Sequence, residues 1–351
     1  MAKSAEKLWA DALEQEKVGE LEDAKSLAHE ITKIDRDHSD AWFMISRLSL
    51  PPVRRGKTEE PSLAQAATAL SALRHVVRID SERRDAWILG GALLVDHLGM
   101  MEESLEWWEM RRKLVPKEVT PLVEQIGVLI RLGNYEEAGE LLETLFSPEM
   151  EDPDNRQLFR MDSVRKMVAN ASSMEKDEVF RPQNPKHKRW EIIDRMKTRK
   201  PLSETFFLLT FVAPIVFLLG TFSMTLLGNL GRLGLLIVFL IILFLFWGIS
   251  RLSSGLLQKL NRHSMDLERA LDVEASSGKL CIPDEIRGSK LYNSILEKRT
   301  RAFQERIGKI VEIDERLNNK WTPNLPNWKQ QDSDWWVENE DESVELDAIE
   351  D

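Results

Sequence analysis

Apolar residues are spread unevenly along this chain, and they are densest in the middle. Phe206–Leu227 and Leu233–Ser250 are near-continuous apolar stretches, separated only by Gly228-Asn229-Leu230-Gly231-Arg232. A helix rises about 1.5 Å per residue and the hydrocarbon core of a bilayer is about 30 Å thick, so each stretch is about long enough to span. The connection is too short to hold a domain. The pattern predicts a transmembrane hairpin over 201–251, with spans 206–227 and 233–250 and the flanking chain on one side of the membrane. Neither span contains an ionisable residue. Proton and ion pathways usually need such residues, so the hairpin reads as an anchor and not as a transport path.

Elsewhere the apolar residues recur at helical spacing. Asn155–Ala171 puts Leu158, Met161, Val164 and Val168 on one face. Residues 252–273 carry Leu256, Leu260, Leu267 and Leu271 near one face, before Gly278 and Pro283 break the pattern. In 289–317, Leu296, Phe303, Ile310 and Leu317 stand a heptad apart, with Ile307 and Ile313 alongside. Such a stripe predicts one long helix. It suits either an antiparallel pair with the preceding helix over 252–320 or a homo-oligomeric coiled coil through 289–317. Residues 321–351 differ in kind. From Gln331 onward they hold many acids and no Lys or Arg, which predicts a disordered acidic tail. Its interleaved Trp335-Trp336 and Val344, Leu346, Ile349 also have the look of a short binding motif.

The first 150 residues repeat themselves. Gly19-Glu20-Leu21-Glu22-Asp23-Ala24 leads to Asp35 and then Asp40-Ala41-Trp42; Ala69, Leu73, Val76 and Asp80 lead to Asp85-Ala86-Trp87. Gly99 opens a third copy, with Trp108 and Arg111, and Leu132-Gly133-Asn134-Tyr135-Glu136-Glu137-Ala138 a fourth. This resembles the tetratricopeptide repeat, an antiparallel helix pair of about 34 residues. The resemblance covers roughly residues 5–150 as about four repeats. It implies an all-α fold: a helical-repeat solenoid, to which the transmembrane hairpin and the C-terminal helical pair are added. Trp42 and Trp87 are spaced more widely than one period, and the surplus falls in Leu50–Pro61, which reads as a loop inside the second repeat. Residues 151–200 read as a capping helix followed by a basic juxtamembrane linker.

The resemblance also implies which side chains line the concave groove: Trp9, Leu13 and Glu16; Phe43 and Arg47; Ile88, Ala92 and Val95; Val123, Gly127 and Ile130. The Lys, Arg and Asn that clamp an acidic peptide terminus in some members are mostly missing. An apolar groove accepts either an amphipathic helix from a partner or a helix of the protein's own chain, and the sequence leaves both open.

Charge adds an orientation. Lys186, Lys188, Arg189, Arg195, Lys197, Arg199 and Lys200 crowd the approach to the first span, Arg251, Lys259 and Arg262 follow the second, and Arg232 alone lies between. Basic flanks stay cytoplasmic, so an integral membrane protein with both termini in the cytoplasm is expected. Lys186, Lys188, Arg189, Lys197, Arg199 and Lys200 are the expected contacts to anionic lipid headgroups, at about 1 kcal/mol each. A net charge of −11 disfavours nucleic acid. Cys281 is the only cysteine, which removes any intramolecular disulfide framework. Pro51-Pro52-Val53-Arg54-Arg55-Gly56-Lys57-Thr58 lacks the first glycine of a phosphate-binding loop. The six histidines show no convincing metal-ligand spacing. No enzyme, metal or cofactor is expected.

The expected function is a membrane-anchored adaptor that holds a protein or peptide in its groove, through Trp9, Leu13, Phe43, Arg47, Ile88, Val95, Val123 and Ile130. The alternative is a structural subunit of a larger membrane complex, with the groove permanently occupied.

Overall fold

The computed structural model describes residues 4–54, 57–172, 179–227 and 231–328. Its N-terminal half is a stack of helix pairs: α1 (Ala5–Val18) with α2 (Leu21–Ile34), α3 (Ser39–Ser49) with α4 (Leu63–Ile79), α5 (Arg84–Ala92) with α6 (Met101–Leu114), and α7 (Val119–Leu132) with α8 (Tyr135–Leu145). A π-helical segment, Leu93–Leu98, prolongs α5. Small residues let the pairs approach: Ala24, Ala28, Ala41, Ala66, Ala69, Ala86 and Ala138 are fully buried. A Cβ on Gly90 or Gly91 would overlap the ring of Trp107 or Trp108, so α6 lies closer to α5 than a side chain would permit. The repeated tryptophans share one task. Trp42 Nε1–H donates to the Arg36 carbonyl (2.8 Å) and Trp87 Nε1–H to the Ser81 carbonyl (2.9 Å), each pinning the turn that enters its own repeat.

The insertion in the second repeat contains a minimal antiparallel ribbon, β1 (Val53–Arg54) and β2 (Lys57–Thr58), with Val53 opposite Thr58. Ser62 then starts α4 through a reciprocal capping box with Gln65. At the far end of the stack, α9 (Asn155–Ser172) lies across α7 and α8. Met161, Val164 and Val168 are buried there, whereas Leu158, expected on the same face, is about half exposed.

The rest of the chain departs from the expected separation of parts. Residues 179–200 are not a linker. Phe180, Trp190 and Ile193, the last two on α10 (Lys188–Met196), share a core with Leu267, Leu271, Ile282, Leu291, Ile295, Phe303, Ile307 and Ile310 from the far side of the hairpin. The stripe 252–273 is not one helix. It is divided between α13 (Gly231–Leu260) and α14 (Arg262–Ser277). The break falls at Asn261, whose side chain accepts from Leu202 N–H (2.9 Å) and donates to the Leu202 carbonyl (2.8 Å). Residues 289–317 are likewise divided, into α15 (Lys290–Leu296) and α16 (Arg301–Ile313). Thr300 is extended at the break, and its hydroxyl donates to the Asp96 carbonyl of the third repeat (3.0 Å). Phe303, Ile307 and Ile310 are buried within this one chain, packed against α4, the π-helical segment and α14. These three positions of the stripe offered for a coiled coil are thus consumed internally, while Ile313 is 68% exposed. Residues 321–328 are not free tail either, since Trp321, Leu325 and Trp328 pack on the α7 core. The acidic stretch from 329 onward lies outside the described residues.

In the middle, α11 (Glu204–Phe207), a π-helical segment (Leu208–Val212) and α12 (Ala213–Leu227) run continuously and pack along α13. Among the described residues, Glu204–Leu227 is the one helix long and apolar enough to cross a membrane; Leu233–Ile249, within α13, is a shorter apolar stretch. Phe207, Val212, Gly220 and Val238 are buried along this pairing, while Phe211, Phe217, Phe222, Phe239 and Phe244 are exposed.

Candidate interaction surface

The first helices of the four repeats lie in a row, tied by side chains. Arg47 on α3 reaches Glu16 on α1 (2.8 Å), Arg83 reaches Asp40 (2.7 Å), and Arg84 reaches Thr120 (3.1 Å) and Glu118 (3.1 Å) at the start of α7. Glu118 is buried and also accepts from Arg111 (2.7 Å), so α5, α6 and α7 share one ion cluster.

Along this row the expected groove residues divide. Trp9, Leu13 and Phe43 are half-buried, packed on the cores of the first two repeats but keeping accessible surface. The Trp9 ring meets His38 at 5.1 Å, and the Arg83 guanidinium lies over the Phe43 ring at 4.1 Å. Arg47 is exposed, and Ile88 is 48% exposed. These five keep accessible surface along the row of first helices, four of them apolar, with the Arg47 guanidinium among them and that of Arg83 over Phe43.

The other three do not join them. Val123 is 3% exposed, because α7 is packed by α6, α8, α9 and α14 and has no free face left at that position. Val95 and Ile130 are half-buried in the cluster that also takes in Val273, Leu317, Trp321, Leu325 and Trp328. The groove at Val95, Val123 and Ile130 is therefore covered by the protein's own chain, while Ile88 on α5 stays open.

That cover is seated on the edge where the two helices of each repeat turn into one another. Arg131 on α7 forms a two-pronged pair with Asp272 of α14 (2.9 and 3.0 Å), and Asp272 also takes Arg299 (2.9 Å). Arg269 donates to the Arg131 carbonyl (3.2 Å) and to the Tyr135 hydroxyl. Gly99, in the left-handed region at φ +67°, lies directly beneath Ala275 and Phe303. Glu102 N–H at the start of α6 donates to Ser276 (3.2 Å), and its carboxylate accepts from Asn324 N–H (3.2 Å). Burial pushes that carboxyl above its usual range, opposed by the Asn324 N–H and reinforced by Glu106 and Glu103. Among the described residues, nothing lies within 4 Å of a Cβ built on Gly19 at the turn of the first repeat. Beside it, a cleft of about 520 Å³ runs between Leu21, Leu48, Pro51 and Pro52 with Glu22 and Glu59 at its rim.

The basic residues before the hairpin also divide. Lys186, Lys188, Arg199 and Lys200 are exposed. Lys197 is half-buried and paired with Asp194 (2.8 Å). Arg189 is half-buried and sits beside the buried Asp266 (3.4 Å), whose carboxyl is raised by burial against the opposing pull of Arg189. Among the described residues, no group of three or more His, Cys, Asp or Glu could hold a metal ion. Burial raises the Cys281 thiol well above its ordinary range, with Glu274 adding to the rise.

Helix pairing, turn glycines and turn-pinning tryptophans make α1–α8 a tetratricopeptide-like stack. No family model and no curated protein matches this sequence. Among solved structures it is similar to YrrB, described as a TPR protein with an unusual peptide-binding site, at 14% identity and a TM-score of 0.30, over 48% of this chain and 91% of that one. A score that low adds nothing to the helix geometry.

Proposed function

We propose that this protein is a membrane-tethered interaction platform: a hairpin over 206–227 and 233–250 anchors it, both termini are cytoplasmic, and the open half of the repeat groove holds a protein or peptide partner. The observation that carries the tether is the shared core. Phe180, Trp190 and Ile193 precede the hairpin and pack with Leu267, Leu291 and Phe303, which follow it. A single crossing would put these groups on opposite faces of a membrane, so a chain that spans must span an even number of times. Two apolar helices are available, and the Asn261–Leu202 hydrogen bonds close their base. The outward phenylalanines of α12 and α13 leave water when the hairpin inserts, at about 25 cal/mol per Å². The basic flanks favour the cytoplasmic side.

On this reading the partner meets Trp9, Leu13, Phe43, Arg47 and Ile88, an accessible apolar shelf suited to the apolar face of a helix. The second reading, a structural subunit of a larger membrane complex, draws on the self-covered groove positions Val95, Val123 and Ile130. Alkaline washing of membranes should leave the protein in the pellet, and reporters should be cytoplasmic at Ala2 and Asp351 but not at Asn229. Phe43→Glu with Ile88→Glu should abolish recovery of crosslinked partners from native membranes without loss of helix content. Unfolding by that double change would favour the structural subunit.

A further inference from the structure

Beside the foot of the hairpin is an open pocket of about 380 Å³, lined by Lys200, Gly288, Lys290, Asn293, Ser294 and Glu297. Its volume falls within the range of about 300–1,000 Å³ usual for small-molecule sites. Its walls come from both sides of the hairpin, and both are fixed. Leu291 N–H donates to the Lys197 carbonyl (2.9 Å), which holds the segment bearing Lys200 against α15. Asn293 Nδ2–H donates to the Gly288 carbonyl (3.1 Å), and the buried Leu291, Tyr292 and Ile295 anchor α15 from beneath. Lys200 lies just before α11, and the Asn261–Leu202 bonds hold the base of the hairpin beside it. Among the described residues neither Lys200 nor Lys290 has an ion-pair partner, and neither does Glu297. Two unpaired ammonium groups and one unpaired carboxylate thus share one recess, where the chain would leave the membrane.

We infer that this pocket binds the headgroup of an amino-phospholipid, with the phosphate on Lys200 and Lys290 and the headgroup amine on Glu297. Asn293 and Ser294 supply neutral polar groups for the glycerol and ester oxygens. The carboxylate decides between headgroups: it would repel one that is anionic throughout and favour one that carries an ammonium beside its phosphate. This inference rests on the membrane reading above.

The test is native mass spectrometry of the full chain in mild detergent, titrated with phosphatidylethanolamine, phosphatidylglycerol or, as a soluble phosphate, glycerol 3-phosphate. Phosphatidylethanolamine should be retained best. Lys200→Gln with Lys290→Gln should weaken it about tenfold or more, because each change removes a charge-assisted hydrogen bond to the phosphate. Lys200→Arg with Lys290→Arg should restore it, which guards against a folding defect in the Gln pair. Glu297→Gln should narrow the preference for phosphatidylethanolamine over phosphatidylglycerol. Undiminished retention by the Gln pair would overturn the site. Equal retention of the two lipids by the unaltered protein would overturn the role of Glu297. Glycerol 3-phosphate competing as strongly as lipid would make the ligand a soluble phosphate. Alkaline extraction of the same membranes separates the two claims: release fails the tether itself, whereas retention without headgroup preference fails only this inference.

Discussion

Exchanging Gly99 for alanine tests how firmly the C-terminal helices are seated on the repeat stack. Gly99 joins the two helices of the third repeat at φ +67°, and a Cβ there would stand 2.6 Å from Ala275 Cβ and 2.6 Å from Phe303 Cε2. Two costs combine. A non-glycine residue in the left-handed region costs about 1–2 kcal/mol. Forcing an extra carbon into a packed contact costs about 1–3 kcal/mol, because α14 or α16 must move. Gly19 supplies the internal control. It occupies the equivalent turn of the first repeat at φ +94°, yet nothing lies within 4 Å of its would-be Cβ. Gly19→Ala therefore incurs only the backbone term. Gly99→Ala is expected to cost about 2–5 kcal/mol against about 1–2 kcal/mol for Gly19→Ala. Denaturant unfolding of the full chain in detergent, followed by tryptophan fluorescence, gives both values. Hydrogen exchange adds location: protection over 262–277 and 301–313 should fall in Gly99→Ala and stay unchanged in Gly19→Ala. Equal costs, or unchanged exchange in α14 and α16, would refute a tight seat at this turn.

Other consequences can be checked in the same assay. Asp272→Ala leaves Arg131 and Arg299 without their shared buried acceptor and should cost about 3–5 kcal/mol, with α14 losing protection; a cost under about 1 kcal/mol would mean the cluster is solvated. Trp87→Ala removes a buried indole and the hydrogen bond that pins its turn, and should cost about 3–5 kcal/mol, more than any change on the exposed shelf. The carboxyl of Glu102 is raised in the folded protein, so the folded state holds its proton more tightly than the unfolded chain does. The stability it confers is present at acidic pH and is lost as pH rises through that raised value. Glu102→Gln, which keeps an acceptor for Asn324 N–H, should raise stability at neutral pH by less than about 1 kcal/mol and leave it unchanged in acid. Lower stability at neutral pH would show that the charge is favourable where it sits.

What could be read from the sequence was whatever repeats or runs. Trp42 and Trp87 announce the stack because each performs the same hydrogen bond at the same place. Leu50–Pro61 was legible as an insertion because the spacing between those tryptophans is too long. The seat of the C-terminal helices has no such signature. Asp272 meets Arg131 from 141 residues away, through one buried ion pair and not through a stripe. Thr300 breaks a good heptad by donating to a carbonyl that only the folded third repeat provides. Trp321, Leu325 and Trp328 were hidden by the acidic composition that follows them. Val123 was misplaced because a groove position is accessible only where nothing packs across it, and α7 is the one first helix with both a capping helix and α14 against it.

The seat also explains the insertion. The extra residues of the second repeat do not hang free. Glu60 accepts from Arg301 N–H (2.7 Å), and Leu63 N–H, where α4 begins, donates to Glu305 (2.8 Å). Each contact satisfies a backbone N–H at a helix start that would otherwise need water or a cap. The insertion is therefore the second repeat's half of the joint with α16, as Ser276 and Glu102 are part of the third repeat's and Arg131 and Asp272 part of the fourth's. The hairpin leaves from the module that these contacts hold, between α10 and α14, and not from the stack itself. Any pull between a partner on Phe43 and Ile88 and the proposed membrane anchor must then pass through that joint. Under the proposed function this gives the buried charges around Asp272 a role beyond stability: they would fix where the open half of the groove stands relative to the proposed anchor.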